Sequence, residues 1–305
     1  MENKFKGLWP AMFTPVDEQG EPAYDQMGKL VELLISQGLD GLYILGSTGQ
    51  GVLFNEAQRK KITEFVIRQT AGRLPVIVQV GALTTTESVR LARHSAATGA
   101  TGISSVGPIY YSFNAAMALE HYRAIAIATD LPFFPYQLGD HSMPGDTLDF
   151  VKRLLDIPHV AGMKLTTSQL LDISLIHSFA GDGLKLFSGA DELFCHASLC
   201  GTVGAIGSTY NLWGVACKKI LDEFTLGDYA HTKKFMLAFQ DTIQYILPNI
   251  WPFLRQAMLL KYEIDIGPTK APLGNTQEPW PEAEVLQVMH NIDAIAETPL
   301  LKSSS

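Results

Sequence analysis

The chain is poor in cysteine, in clustered basic residues and in long uncharged apolar runs. Cys195, Cys200 and Cys217 are an odd set of three in 305 residues. That is not how a disulfide framework is built, and it points to a reducing compartment. Basic side chains number 23 against 31 acidic ones, for a net charge of −8, and they form no cluster. Without a concentrated basic face to neutralise phosphates, a nucleic-acid partner is not expected. Met1 to Gly7 is followed by no apolar run of signal-peptide length, so a cytoplasmic location is expected. Leu193 to Cys217 lacks Asp, Glu, Lys and Arg over a length that could span a bilayer. It also carries His196, Ser198, Thr202, Ser208, Thr209, Asn211 and four glycines, Gly201, Gly204, Gly207 and Gly214, so it reads as buried core and no membrane span is expected.

The composition that remains, 47% hydrophobic and 18% charged, is that of a globular protein with room for a large core. Short apolar runs alternate with segments of helical period, the pattern of βαβ units on a parallel sheet. The strands are expected at Gly7–Thr14, Gly41–Leu45, Pro75–Val80, Gly102–Val106, Leu131–Tyr136, Val160–Lys164, Leu184–Phe187 and Val203–Ile206. Between them, Met27, Leu30, Val31, Leu34 and Ile35 form one apolar helical stripe ending before Gly38, and Asn55/Gln58 and Thr84/Glu87 have capping-box spacing. Eight repeats in about 220 residues fit a closed (β/α)8 barrel better than a doubly wound sheet of five or six strands. After Gly227 the alternation stops. The expected organisation is a catalytic barrel over residues 1–226 and a helical region over 227–305 packed on it, with Ser303–Ser305 disordered.

In such a barrel the chemistry lies at the carboxyl ends of the strands. Lys164 closes the sixth expected strand, which places a primary amine over an apolar core. Desolvation there favours the neutral amine that attacks carbonyls, although a lysine in this place can also snorkel to the rim or pair with a carboxylate. Tyr136 closes the neighbouring strand and fits a general acid/base beside the amine, or a rim tyrosine packed for its ring. Gly46-Ser47-Thr48-Gly49-Gln50-Gly51 is equally a backbone cradle for a carboxylate or phosphate and a tight turn. It has neither the P-loop lysine nor dinucleotide-binding spacing. The histidines and cysteines show no metal-ligand spacing, so no metal site is expected.

These residues together resemble the pyruvate-dependent class I aldolase family that contains N-acetylneuraminate lyase and dihydrodipicolinate synthase. The motifs are Gly46–Gly49, Pro108-Ile109-Tyr110-Tyr111, the strand-five tyrosine and Lys164. The resemblance implies a barrel with a helical tail, usually a homotetramer, and Lys164 as the imine-forming residue. It further implies Ser47 and Thr48 on the pyruvyl carboxylate, and Tyr136 as the proton relay, oriented through Ser47 and through Tyr110 of a neighbouring subunit. Gly38 to Gly49 and Gly204 to Asn211 look more like the lyase branch, in which Thr166, Gly189, Asp191, Glu192 and Ser208 would bind the hydroxylated tail of a sugar acid. An arginine typical of the synthase is replaced at His141. Gln50 stands where Glu is usual, Gln137-Leu138-Gly139 departs from the usual Asn-x-Pro, and the Gly-Asp common after the lysine is missing.

The expected activity is reversible cleavage of a 2-keto-3-deoxy sugar acid, such as N-acetylneuraminate, to pyruvate and an aldehyde. It needs no cofactor, because the imine on Lys164 is the electron sink. The alternatives are condensation of pyruvate with aspartate semialdehyde, another 2-keto acid aldolase or dehydratase, and a non-catalytic barrel that binds a keto acid.

Overall fold

A computed structural model describes residues 4–110, 114–139, 145–274 and 278–298. Its strands are β1 (Gly7–Pro10), β2 (Leu42–Ile44), β3 (Val76–Gln79), β4 (Gly102–Val106), β5 (Phe133–Leu138), β6 (Gly162–Thr166), β7 (Lys185–Ser188) and β8 (Gly204–Gly207). From β2 to β8 each strand pairs in parallel with its sequence neighbour, and β8 pairs in parallel with β1. A bridge from Ala11 to Tyr43 closes the circle, with the Met12 amide donating to the Tyr43 carbonyl at 2.9 Å. The helices between strands are α1 (Tyr24–Ser36), α2 (Glu56–Thr70), α3 (Thr85–Thr98), α4 (Ala115–Ala126), α5 (Thr147–Leu155), α6 (Leu170–Ala180) and α7 (Phe194–Leu199), and α8 (Tyr210–Leu226) follows the last strand. The architecture is the (β/α)8 barrel that the alternation predicts.

Strand residues divide by the two-residue period into an outer core under the helices and an inner plug. Trp9, Ala11, Tyr43, Ile77, Phe134, Phe187 and Ile206 fill the barrel axis. The Asn55/Gln58 box forms in full at the start of α2, and Thr84 caps α3 by accepting from the Glu87 amide at 3.2 Å.

The strand ends differ from the sequence expectation in a way that affects the site. β5 and β6 run two residues beyond Tyr136 and Lys164, because Gln137 and Leu138 stay on the ladder with Leu165 and Thr166. Gln137 is a polar residue that the apolar pattern rejects, and it is buried by donating to the Tyr122 hydroxyl at 3.0 Å. In contrast, β1 stops at Pro10 rather than Thr14, as the chain passes from β8 to β2.

The uncharged stretch from Leu193 to Cys217 resolves into α7, β8 and the first turns of α8. Among the described residues, no helix is long and apolar enough to cross a membrane. Gly227 ends α8 in the left-handed region at φ 95°, and α9 (Tyr229–Ile246), α10 (Ile250–Tyr262) and α11 (Glu282–Ile295) follow. Trp213 of α8 packs against Phe239 and Phe253, and Lys261 of α10 pairs with the buried Asp293 of α11 at 2.6 Å. The Ser303–Ser305 tail lies outside the described residues.

Candidate active site

Lys164 points its amine inward from β6 and is 5% exposed. Tyr136 is its register partner on β5. The Lys164 Nζ lies 4.4 Å from the centroid of the Tyr136 ring and 4.6 Å from that of Tyr43. The two rings meet edge to face, with an interplanar angle of 85°, and make a corner around the nitrogen. Thr166 Oγ1 donates to the Tyr136 hydroxyl at 3.3 Å. Gly189 closes the remaining side: a Cβ there would stand 2.0 Å from Thr166 Oγ1 and 2.9 Å from Lys164 Cε.

The loop after β2 is strained and buttressed. Leu45 and Gln50 adopt positive φ of 59° and 53°, a region that side chains disfavour. Gly51 is required by close approach, since a Cβ would lie 1.8 Å from the Leu45 carbonyl. Thr14 Oγ1 donates to the Gly49 carbonyl at 2.8 Å, and the Gln50 side chain accepts from the Lys270 amide at 2.6 Å. The buried Arg59 of α2 donates to the carbonyls of Gln79 and Gly81, at 2.8 and 2.9 Å, and so fixes the neighbouring end of β3. Thr48 is buried and its hydroxyl meets that of Ser208 at 2.6 Å, which links this loop to the end of β8. Ser47 is exposed on the same loop.

Asp191 opens a short turn after β7. Its Oδ2 accepts from the Thr209 amide at 2.7 Å and the Thr209 hydroxyl at 2.6 Å. Burial pushes this carboxyl up to about 6, against the opposing pull of the two Thr209 hydrogen bonds and of the Lys164 charge. Thr166, Gly189, Asp191, Glu192 and Ser208 line one cavity of about 390 Å³, together with Thr167 and Ser168.

An apolar wall of the same cavity is made by Ile243, Leu247 and Ile250, from α9, α10 and the turn between them. Sequence reasoning missed this wall because it searched strand ends. Tyr43 was missed because its place inside β2 reads as core. Tyr110, beyond β4, is 78% exposed and outside the cavity lining. His141 and Tyr111 lie outside the described residues.

Away from the barrel mouth, Glu223, Asp228 and His231 form a close trio. Both His231 nitrogens are engaged there, Nδ1 with Glu223 at 2.7 Å and Nε2 with the Ile295 carbonyl at 2.6 Å, so the group ties α8 and α9 to α11.

Residues 4–288 match the dihydrodipicolinate synthetase family. The chain is 35% identical over 231 residues to the N-acetylneuraminate lyase of Citrobacter koseri, covering 75% of this chain and 77% of that protein. It is 33% identical over 248 residues to the enzyme of that name from Salmonella paratyphi B, covering 81% and 83%. The solved structure of N-acetylneuraminate lyase from Mycoplasma synoviae superimposes with a TM-score of 0.86 at 28% identity, over 97% of this chain and 99% of that one. With its barrel, helical tail and buried lysine in common register with a tyrosine, the chain belongs to the dihydrodipicolinate synthetase family.

Proposed function

We propose that the protein is a class I aldolase of the N-acetylneuraminate lyase type, cleaving a 2-keto-3-deoxy sugar acid to pyruvate and an aldehyde. The observation that carries this reading is the buried Lys164 amine against Tyr136, joined through Thr166 and Gly189 to a cavity lined by hydroxyls and carboxyls. Lys164 attacks the C2 carbonyl and water leaves, giving a protonated imine. Tyr136 takes the proton of the C4 hydroxyl, and the C3–C4 electron pair flows to the imine nitrogen as the aldehyde departs. The resulting enamine is protonated at C3, and water then hydrolyses the imine to free pyruvate and Lys164. Ser47, Thr48 and the loop amides hold the substrate carboxylate. Thr166, Asp191, Glu192 and Ser208 take the hydroxyls of the tail, for which Gly189 leaves room. The imine nitrogen serves as electron sink, so this reading assigns no metal or cofactor.

The names of the relatives support a sugar-acid substrate. So does the cavity lining: among the described residues it includes no lysine or arginine to hold the second carboxylate of a semialdehyde condensation product, and it presents Asp191 and Glu192 instead. His141 would stand in the loop where the synthase has its arginine. We assign the barrel and its helices one catalytic unit and a homotetrameric assembly. Tyr110 would reach a neighbouring subunit there, and its 78% exposure is consistent with that. Pyruvate release from N-acetylneuraminate and simpler 2-keto-3-deoxy acids, alongside condensation of pyruvate with aspartate semialdehyde, is the test. Release from a sugar acid is expected. Condensation without any release would replace this reading with the synthase.

A further inference from the structure

Tyr43 is fully buried at the strand pair that closes the barrel, and what surrounds it is unusual for a core tyrosine. Its hydroxyl donates to Ser104 Oγ at 3.0 Å, and Ser104 donates onward to the Phe134 carbonyl at 2.6 Å. The ring is thereby pinned at its far end to β4 and β5. One face is turned to Lys164 Nζ, 4.6 Å from the centroid, while Gly46 of the strained loop lies against the ring: a Cβ at Gly46 would be 2.6 Å from Cε1. The same side chain therefore touches the amine and the loop that would take the substrate carboxylate.

A cation removed from water in such a site needs compensation. Among the described residues Lys164 has no carboxylate partner within ion-pair distance. Asp191, which feels the Lys164 charge, has Oδ2 committed to Thr209. The two tyrosine faces stand in that place, since a desolvated cation within about 6 Å of a ring centroid is stabilised by the ring quadrupole.

We propose that Tyr43 is a positioning residue for the imine-forming amine, its ring face forming with Tyr136 an aromatic corner that holds the cationic iminium formed on the Lys164 nitrogen. This rests on the reading of Lys164 as the Schiff-base residue. Condensation creates a positive charge on the nitrogen that the neutral amine lacked, so the corner favours the iminium, and the fixed ring holds Nζ beside the carboxylate loop.

The test varies the charge distribution of the ring at nearly constant shape. In the full-length protein, position 43 is changed to Phe, 3,5-difluorophenylalanine and 3,4,5-trifluorophenylalanine, with Tyr43→Leu as the ringless control. The rate of borohydride trapping of pyruvate on Lys164 is measured beside the melting temperature. Tyr43→Leu is expected to slow trapping and Tyr43→Phe to restore most of it. The fluorinated series should then fall in graded steps to roughly fivefold to thirtyfold below Phe, with the melting temperature unmoved across the three ring variants. Trapping that is flat across the series, or unchanged in Tyr43→Leu, overturns the role of Tyr43 while leaving the imine intact. An unmodified protein that traps no pyruvate overturns the Schiff-base reading and this one with it.

Discussion

The inner half of the barrel mouth, where Lys164, Tyr136 and Tyr43 meet, stands on β6, β5 and β2 and is buried throughout. The outer half takes Thr166 from the last residue of β6, Gly189, Asp191, Glu192 and Ser208 from beyond β7 and β8, and its apolar wall from α9, α10 and the turn between them. The strand ladder fixes the first group in register, so the proposed nucleophile and proton relay are held in one geometry. The second group sits on turns and on helices remote in sequence, where substitution reshapes a binding wall without disturbing the ladder. The contrast suggests a division of labour, with bond cleavage in the inner half and choice of aldehyde in the outer.

Substitutions in the two halves should therefore fail differently. The largest effect is expected for Lys164→Ala, which removes the electron sink and should lower kcat by about 10⁴-fold or more in a pyruvate-release assay. Tyr136→Phe should lower kcat by roughly 10² to 10⁴-fold while pyruvate is still trapped on Lys164, because the amine survives and the proton relay does not. In the outer half, Glu192→Ala should raise KM for a polyhydroxylated substrate by about tenfold and leave pyruvate trapping nearly unchanged, the scale of one hydrogen bond to a charged group. A fall in trapping as large as the fall in cleavage would break the division.

The smallest effect concerns Asp191 and stability. Its carboxyl is raised from 3.8 to about 6 by burial, so the folded state favours the protonated acid. The stabilising contribution is complete below about pH 3.8 and is lost as pH rises through about 6. At most roughly 3 kcal/mol is involved, at 1.36 kcal/mol per pKa unit. Asp191→Asn stays neutral, so urea unfolding at pH 4.5 and pH 7 should show a smaller decline with pH in the variant than in the unmodified chain. An equal decline in both would remove the buried-carboxylate account.

The inner half was largely legible in the sequence. Apolar strands alternating with capped helices define the barrel, and Lys164 and Tyr136 interrupt apolar strands one repeat apart, which is what a ladder pair looks like in one dimension. The pattern failed where polarity and burial part company: Gln137 reads as a strand end but is buried on Tyr122, and Tyr43 reads as plain core while its ring faces the amine. Ile243, Leu247 and Ile250 were invisible for another reason. Helical period shows that a residue faces something apolar, and only the folding of α9 and α10 back over the barrel shows that part of that face is a cavity.

The central claim, that Lys164 forms an imine with pyruvate, is tested most directly by incubating the protein with pyruvate and borohydride and locating the adduct by peptide mass. The account predicts one reduced pyruvyl adduct on Lys164, absent in Lys164→Ala. An adduct that persists in that variant, or none in the unmodified protein, contradicts it.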